Sequence, residues 1–209
     1  MKYNFYTFTC LSRPLYVAEL IQFPENKASY REFLSPEELN LLAKRKHINK
    51  QAEFIFSRYI IKKVLEMSSK QAKLTTVKYC NLIKASGIFQ QQELKQKLSL
   101  SHSGKFVAFS FCALKENIGV DIETITKKDV KPLINEFFCE EDKRLINASA
   151  NPTKHFYQLW TEKEAVTKLV NTSIFTLLAS SSAELNNNYH LESINHDDFI
   201  ASLATNNNG

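Results

Sequence analysis

Ile118-Gly119-Val120-Asp121-Ile122-Glu123, residues 118–123, decides how the chain divides. Apolar and acidic residues alternate here, which is typical of a β-strand with two different faces. The polar residues 115–117 interrupt the chain between this strand and a strongly strand-like run at 106–114. Helical and strand-like segments occur in similar amounts on both sides of the break. We therefore predict an α+β fold of two similar subdomains, residues 1–115 and 116–209, each a small sheet packed with helices.

Local patterns predict the other elements. A helix start is predicted with Ser35 as N-cap and Pro36 at N1, and Glu38 at N3 completes a capping box with Ser35. The Asn-rich tail predicts one strand near 189–192 and a frayed end at 206–209. The predicted strands cover 2–9 and 15–22, and the predicted helices cover 36–46, 49–67, 129–137, 140–147 and 152–170.

The composition excludes several classes of protein. Hydrophobic residues make up 44% of the 209 residues, enough for a packed core, so a disordered or collagen-like chain is excluded. With four glycines and neither GxGxxG nor GxxxxGK[ST], a glycine-rich phosphate loop is excluded as well. The four cysteines form no CxxC pair, which argues against a zinc site or a disulfide framework. No stretch of about 18 apolar residues occurs, so we expect a cytoplasmic protein with no membrane partner.

The net charge is mildly basic. The 27 Lys and Arg residues and the 22 Asp and Glu residues give +5. Basic residues are spread along the chain, whereas a protein that binds duplex DNA usually carries a denser cluster, so we expect no nucleic-acid partner. A modest positive charge suits an acidic protein partner or a phosphorylated small molecule equally well.

The two acidic residues of the 118–123 strand are the first candidates for chemistry. Asp121 and Glu123 are two apart, so both carboxylates point to one face of the strand, while Val120 and Ile122 point to the other. Two neighbouring carboxylates repel each other unless a cation lies between them, and such oxygen ligands select Mg²⁺ or Mn²⁺. The alternative is a half-exposed strand with its polar face in water, which is the commoner meaning of an isolated Asp-x-Glu pair.

The helix predicted at 152–170 supplies a second candidate group. Phe156, Trp160, Glu164 and Lys168 form one i, i+4 row, so an aromatic ridge continues into a Glu–Lys pair. Because Glu164 follows two bulky aromatic residues, we expect it at the edge of the core, where a carboxylate needs a cation or a proton. It could then complete a three-carboxylate metal site. The alternative is a surface salt bridge that contributes a few tenths of a kcal/mol.

Two further groups could contact phosphate. Ser101-His102-Ser103-Gly104 lies at a predicted turn into a strand, where His102 could be a general base, a phosphate partner or a packed loop histidine. Lys50 and Arg58 are expected on roughly one side of the 49–67 helix. They could bind phosphate groups or form a solvated helix face.

Taken together, three motifs resemble those of the Sfp-type 4′-phosphopantetheinyl transferases. They are Ser-His-Ser-Gly at 101–104, Ile-Gly-Val-Asp-Ile-Glu at 118–123 and Leu-Trp-Thr-Glu-Lys-Glu-Ala-Val-Thr-Lys at 159–168, in the family's order. Ala52-Glu53 with Ser57-Arg58 also looks like the family's N-terminal helix motif. The resemblance covers roughly residues 35–170. It departs from the family where Gly-Lys-Pro usually precedes Ser-His, since residues 85–89 here read Ala-Ser-Gly-Ile-Phe.

The resemblance implies transfer of the phosphopantetheine arm of coenzyme A to a serine of an acidic apo carrier protein, with release of 3′,5′-ADP. It implies a monomer whose two subdomains are related by a pseudo-twofold axis, with the functional site in the cleft between them. That site would bind Mg²⁺ or Mn²⁺ through Asp121, Glu123 and Glu164. Glu164 or a metal-bound water would take the serine proton, and Lys168 would stabilise or protonate the leaving phosphate. The implied contacts to coenzyme A come from Ser101, His102, Lys50 and Arg58, with His102 also a catalytic candidate.

Two alternative functions stay open at this point. A relative that binds coenzyme A or a carrier protein without transferring anything is compatible with the missing Gly-Lys-Pro segment. A metal-dependent nuclease would also use clustered carboxylates and a lysine. Nucleases of the Asp…Glu-x-Lys kind place Glu and Lys two apart on a strand, however, whereas Glu164 and Lys168 lie four apart on a predicted helix.

Overall fold

The structure is a computed structural model that describes residues 1–23, 34, 36–64, 87–88, 96–113 and 115–207. The described helices are α1 Pro36–Ala43, α2 Ile48–Val64, α3 Lys131–Phe137, α4 Glu140–Ala148, α5 Pro152–Val170, α6 Ile174–Ala179 and α7 Ser182–Asn188. The described strands are β1 Lys2–Cys10, β2 Arg13–Gln22, β3 Gly87–Ile88, β4 Gln96–Ser103, β5 Phe106–Ala113, β6 Ile118–Thr124, β7 Tyr189–Asn195 and β8 Phe199–Asn206.

The strands form two antiparallel sheets. The first has the order β1-β2-β5-β4-β3, and the second has the order β6-β8-β7. The first sheet therefore ends in sequence at β5, and the second begins at β6. This mixed fold of small helix-packed sheets confirms the predicted α+β class.

The apolar faces of the two sheets pack against each other. Leu15, Val17 and Phe106 of the first sheet share a core with Val120 and Ile122 of the second. Those five side chains are at most 1% exposed, which makes this layer a principal source of hydrophobic stabilisation. The alternation in residues 118–123 therefore corresponds to an apolar face and a polar face of strand β6.

A helix covers the outer face of each sheet. Phe56 and Ile60 of α2 pack on Leu98 and Leu100 of the first sheet. On the second sheet, Ala165 of α5 packs near Ala204 of β8 in another core cluster. The layers therefore run helix, sheet, sheet, helix, and α5 lies over the polar face of β6.

Gly119 allows α5 to lie directly on β6. A Cβ at this position would be 1.8 Å from the carbonyl oxygen of Ala165 and 2.9 Å from the backbone nitrogen of Leu169. Such distances to backbone atoms are not available to any other residue, so the glycine sets the spacing between strand and helix.

The predicted elements agree best with the structure where apolar residues recur with one regular spacing along the whole element. The helix predicted at 152–170 is α5, and Asn151 caps it by accepting a hydrogen bond from the Lys154 amide at 3.0 Å. The proposed N-cap Ser35 lies outside the described residues. None of the described helices is both long and apolar enough to cross a membrane.

Two local predictions are wrong. Ser101, His102 and Ser103 belong to β4 rather than to a turn, and only Gly104, with a φ of 57°, enters the connection to β5. The C-terminal tail contains a second strand, β8, which is the central strand of the second sheet. Its register places Ser202 opposite Asp121, so the segment read as an Asn-rich tail supports the candidate site.

Candidate active site

Strand β6 presents Asp121 and Glu123 towards α5, because Val120 and Ile122 fill the core on the opposite face. Helix α5 presents Lys168 to the same place: its Nζ donates to Asp121 Oδ1 at 2.8 Å and to the Val120 carbonyl at 2.9 Å. The structure thus brings together the strand and helix motifs that are far apart in sequence.

Asp121 is buried and only half satisfied. It is 4% exposed, and its Oδ1 also accepts a hydrogen bond from Ser101 Oγ at 2.7 Å. In the part of the chain that the structure describes, its buried Oδ2 accepts no hydrogen bond. A buried carboxylate oxygen without a partner is costly, so this atom marks a position where a ligand would stabilise the site.

Glu164 lies on α5 beside these groups. Burial and then the negative charge of Asp121 raise the pKa of Glu164 to about 7, with Glu123 adding to the rise and Lys168 opposing it. Burial also raises the pKa of Glu123, and the charge of Asp121 adds to it, although a hydrogen bond from Ser103 acts in the opposite direction. The three carboxylates therefore interact, and together they carry more negative charge than Lys168 neutralises.

These carboxylates suit a hard divalent cation in their chemistry. All the donors are oxygens, one buried oxygen lacks a partner, and two pKa values are raised by burial and neighbouring negative charge. Within the described ranges, however, no three His, Cys, Asp or Glu side chains stand in an arrangement that could hold a metal ion. The donor set fits, while the side chains do not converge on one point in this structure.

His102 contacts a residue that the sequence did not single out for a role. Its Nδ1 pairs with Glu53 Oε1, and Lys50 Nζ donates to Glu53 Oε2 at 2.8 Å. Burial favours a higher pKa for Glu53, but the hydrogen bonds from His102 and Lys50 outweigh it and hold this pKa below its ordinary value. Glu53 of α2 therefore fixes the imidazole on β4, a contact that no sequence period reveals.

A pocket of about 480 Å³ opens beside this pair. It lies between the first turns of α2 and the β4–β5 connection, where Lys50, Glu53 and Lys105 supply charge and Phe56 and Phe106 supply apolar wall. A cavity of this size with a few charged groups can accommodate part of a small molecule.

Arg58 does not share a surface with Lys50. The Lys50 side chain is 62% exposed, whereas Arg58 is 3% exposed and its guanidinium carbon lies 4.0 Å from the centre of the Phe54 ring. Ser57 Oγ accepts a hydrogen bond from Arg58 Nη1 at 2.9 Å. The expected shared helix face is therefore not present, and the structure separates these two predicted phosphate contacts.

Ser101 contacts a carboxylate in this structure, and its contact with phosphate stays a prediction. A serine hydroxyl has one proton to donate, and Ser101 donates it to Asp121. In this arrangement Ser101 is a partner of a carboxylate rather than a hydrogen-bond donor to phosphate.

Residues 117–204 match the protein-family model of the 4′-phosphopantetheinyl transferase superfamily. The matched segment contains Asp121, Glu123, Glu164 and Lys168, so the predicted superfamily is confirmed on the part of the chain that carries these groups. The narrower Sfp-type assignment stays a prediction. The comparison with curated proteins gave no match.

Proposed function

We propose that this protein, whose residues 117–204 match the 4′-phosphopantetheinyl transferase superfamily, transfers the phosphopantetheine arm of coenzyme A to a serine of an apo carrier protein. One observation carries the proposal: in the matched segment, Lys168 of α5 bonds to Asp121 of β6, and the charges of Glu123 and Glu164 interact with both of these residues. The acceptor would be an acidic carrier, which suits the net charge of +5.

In the proposed reaction, the carboxylates hold the cation and accept the serine proton. The serine oxygen attacks the phosphorus attached to pantetheine, the bond from that phosphorus to the bridging oxygen breaks, and 3′,5′-ADP leaves. A divalent cation, Mg²⁺ or Mn²⁺, held by Asp121, Glu123 and Glu164, would neutralise charge on the pyrophosphate. Glu164 would take the serine proton as the general base.

Lys168 faces the leaving group in this proposal. An ammonium group has three protons, and the structure accounts for two of them at Asp121 and the Val120 carbonyl. The third is available to stabilise the negative charge that develops on 3′,5′-ADP. Lys50 and His102, beside the pocket, would bind phosphate groups of coenzyme A, whereas the buried Arg58 would support the fold of α2.

The helical placement also bears on the nuclease alternative. Glu164 and Lys168 both lie on α5, whereas the Asp…Glu-x-Lys arrangement requires a strand. No contact in the described structure favours nucleic acid.

The test is mass spectrometry of candidate apo carriers after incubation with the protein, coenzyme A and Mg²⁺. We expect one carrier to gain the mass of a single phosphopantetheine arm, and Glu164→Gln to lose this transfer. Glu162→Gln is the matched control, because Glu162 lies on the same helix but accepts hydrogen bonds from Gln158 and Ser193 instead. Transfer by Glu164→Gln at the wild-type rate would refute the residue assignment. Coenzyme A binding without transfer to any carrier would favour the non-catalytic alternative.

A further inference from the structure

We propose that three serines of β4, Ser99, Ser101 and Ser103, position the carboxylate strand β6, and that Ser101 and Ser103 orient Asp121 and Glu123 for a divalent cation. This inference rests on the proposed function, since it assigns positioning residues to the same site. The sequence motifs assigned no role to Ser99 or to Ser103. We call the three residues the serine row.

The serine row occupies one face of β4. Alternate residues of a strand share a face, and Leu98 and Leu100 pack towards α2 on the other side. The row therefore faces the edge of β6 that β8 does not pair, because β6 is an edge strand of its sheet. Unpaired strand edges carry backbone groups that need partners.

The hydroxyl groups satisfy part of that edge. Ser99 Oγ accepts a hydrogen bond from the Val120 amide at 2.8 Å, and Ser103 Oγ accepts one from the Thr124 amide at 3.1 Å. Thr124 Oγ1 also donates to the Ser103 carbonyl at 3.0 Å. Side chains of one sheet thus bond to the backbone of the other, on both sides of the two acidic residues.

The same row holds the carboxylates. Ser101 Oγ donates to Asp121 Oδ1, and Ser103 Oγ donates to Glu123 Oε2, both at 2.7 Å. Because Ser103 accepts from Thr124 and donates to Glu123, its hydroxyl has one preferred orientation. Each serine engages one oxygen of its carboxylate and leaves the other oxygen for a ligand, which is how outer partners commonly orient the ligands of a metal.

The two serines should differ in importance. Asp121 has a second partner in Lys168, at 2.8 Å, so losing the Ser101 hydroxyl leaves it partly oriented. Glu123 has no second hydrogen bond among the described residues besides that from Ser103. We therefore expect the larger loss of orientation in Ser103→Ala.

The experiment is calorimetric titration of Mn²⁺ into the full chain without coenzyme A, for the wild type, Ser103→Ala, Ser101→Ala and Ser110→Ala. Ser110 is the matched control, because it is a buried serine of β5 whose hydroxyl donates to the Pro14 carbonyl at 2.7 Å. We expect Mn²⁺ affinity to fall by about tenfold or more in Ser103→Ala, less in Ser101→Ala and not at all in Ser110→Ala. Thermal unfolding of each variant reports any general loss of stability, and Ser101→Ala carries the test if Ser103→Ala does not fold.

Affinity of the two β4 variants equal to that of Ser110→Ala would overturn the inference while leaving the proposed function intact. Absence of Mn²⁺ binding in the wild type would overturn both the metal assignment and this inference. Wild-type Mn²⁺ binding together with a failure to modify any carrier would count against the proposed function alone.

Discussion

Two aspartate–lysine pairs on helix α5 have nearly the same length but different surroundings. Lys163 Nζ lies 2.9 Å from Asp142 Oδ2, and Lys168 Nζ lies 2.8 Å from Asp121 Oδ1. The first pair joins α5 to α4, and the second joins α5 to β6. Distance alone would give them equal roles, so the difference must come from what else each partner contacts.

The Asp142–Lys163 pair is closed, because both oxygens of Asp142 have a partner. Asp142 Oδ2 accepts no hydrogen bond from the described residues, but it lies 2.9 Å from Lys163 Nζ. Lys163 also donates to the Leu177 carbonyl at 3.0 Å and to the Ser180 carbonyl, while Asp142 Oδ1 accepts from the Ser182 amide at 2.9 Å. Burial favours a higher pKa for Asp142, but the hydrogen bond from Ser182 and the contact with the Lys163 ammonium outweigh it and keep the pKa below its ordinary value. Both side chains are at most 1% exposed, so nothing from solution can reach them.

The Asp121–Lys168 pair is open. Ser101 and Lys168 both bond to Asp121 Oδ1, so the buried Oδ2 is left without a hydrogen bond among the described residues, and Glu164 beside it has a pKa raised to about 7. One lysine cannot neutralise three neighbouring carboxylates. A closed pair fixes the fold, whereas an open pair keeps charge and hydrogen-bonding capacity for a ligand.

The largest expected effect comes from breaking the closed pair. Lys163→Met removes the cation and leaves the Asp142 charge buried, so we expect the free energy of unfolding to fall by about 3–5 kcal/mol. Urea unfolding at neutral pH measures it. The double variant Lys163→Met, Asp142→Asn removes the stranded charge and should recover part of the loss. A loss below about 1 kcal/mol in the single variant would show that the pair does not hold the helices together.

The same substitution in the open pair should affect catalysis more than stability. Lys168→Met removes the group proposed to stabilise the leaving 3′,5′-ADP, and we expect kcat for carrier modification to fall by about 10²–10³-fold. We expect the unfolding free energy to change less than in Lys163→Met, because Asp121 keeps its hydrogen bond from Ser101. Carrier modification at saturating coenzyme A and urea unfolding of the same preparations give the two numbers. Equal stability losses in the two variants, with kcat preserved in Lys168→Met, would remove the distinction between the pairs.

The residues of the open pair could be predicted from sequence, because the strand and the helix that carry them each show a regular spacing of apolar residues. Asp121 and Glu123 alternate with apolar residues on a strand, and Glu164 and Lys168 continue an aromatic row whose rings, Phe156 and Trp160, lie 5.8 Å apart. Such periods arise from local geometry, so a single sequence contains them.

The closed pair could not be predicted, because its partners are joined by tertiary packing rather than by a period. Asp142 reads as one of several acidic residues at a helix start, and nothing near it in sequence points to Lys163. The contact between Glu53 and His102 is of the same kind. Strand β8 was missed for a related reason: its run Phe199–Leu203 is buried on both faces, so it lacks the alternation that marks a half-exposed strand.

The smallest expected effect is a difference in acid stability. The pKa of Asp142 in the folded protein lies below its ordinary value of 3.8. The unfolded chain therefore binds the proton first as pH falls, so the stabilisation by this carboxylate is complete above its ordinary pKa and is lost below it. We expect the unfolding free energy of the wild type to decline more steeply below about pH 4 than that of Asp142→Asn. Urea unfolding between pH 6 and pH 3 measures both slopes.

Because the pair is buried, added salt should not remove the difference, as it would for the exposed pair Glu140–Lys143. Parallel slopes for the two proteins would mean that Asp142 is not held ionised by Lys163 and Ser182, and the contrast between a closed and an open pair would then rest on Asp121 alone.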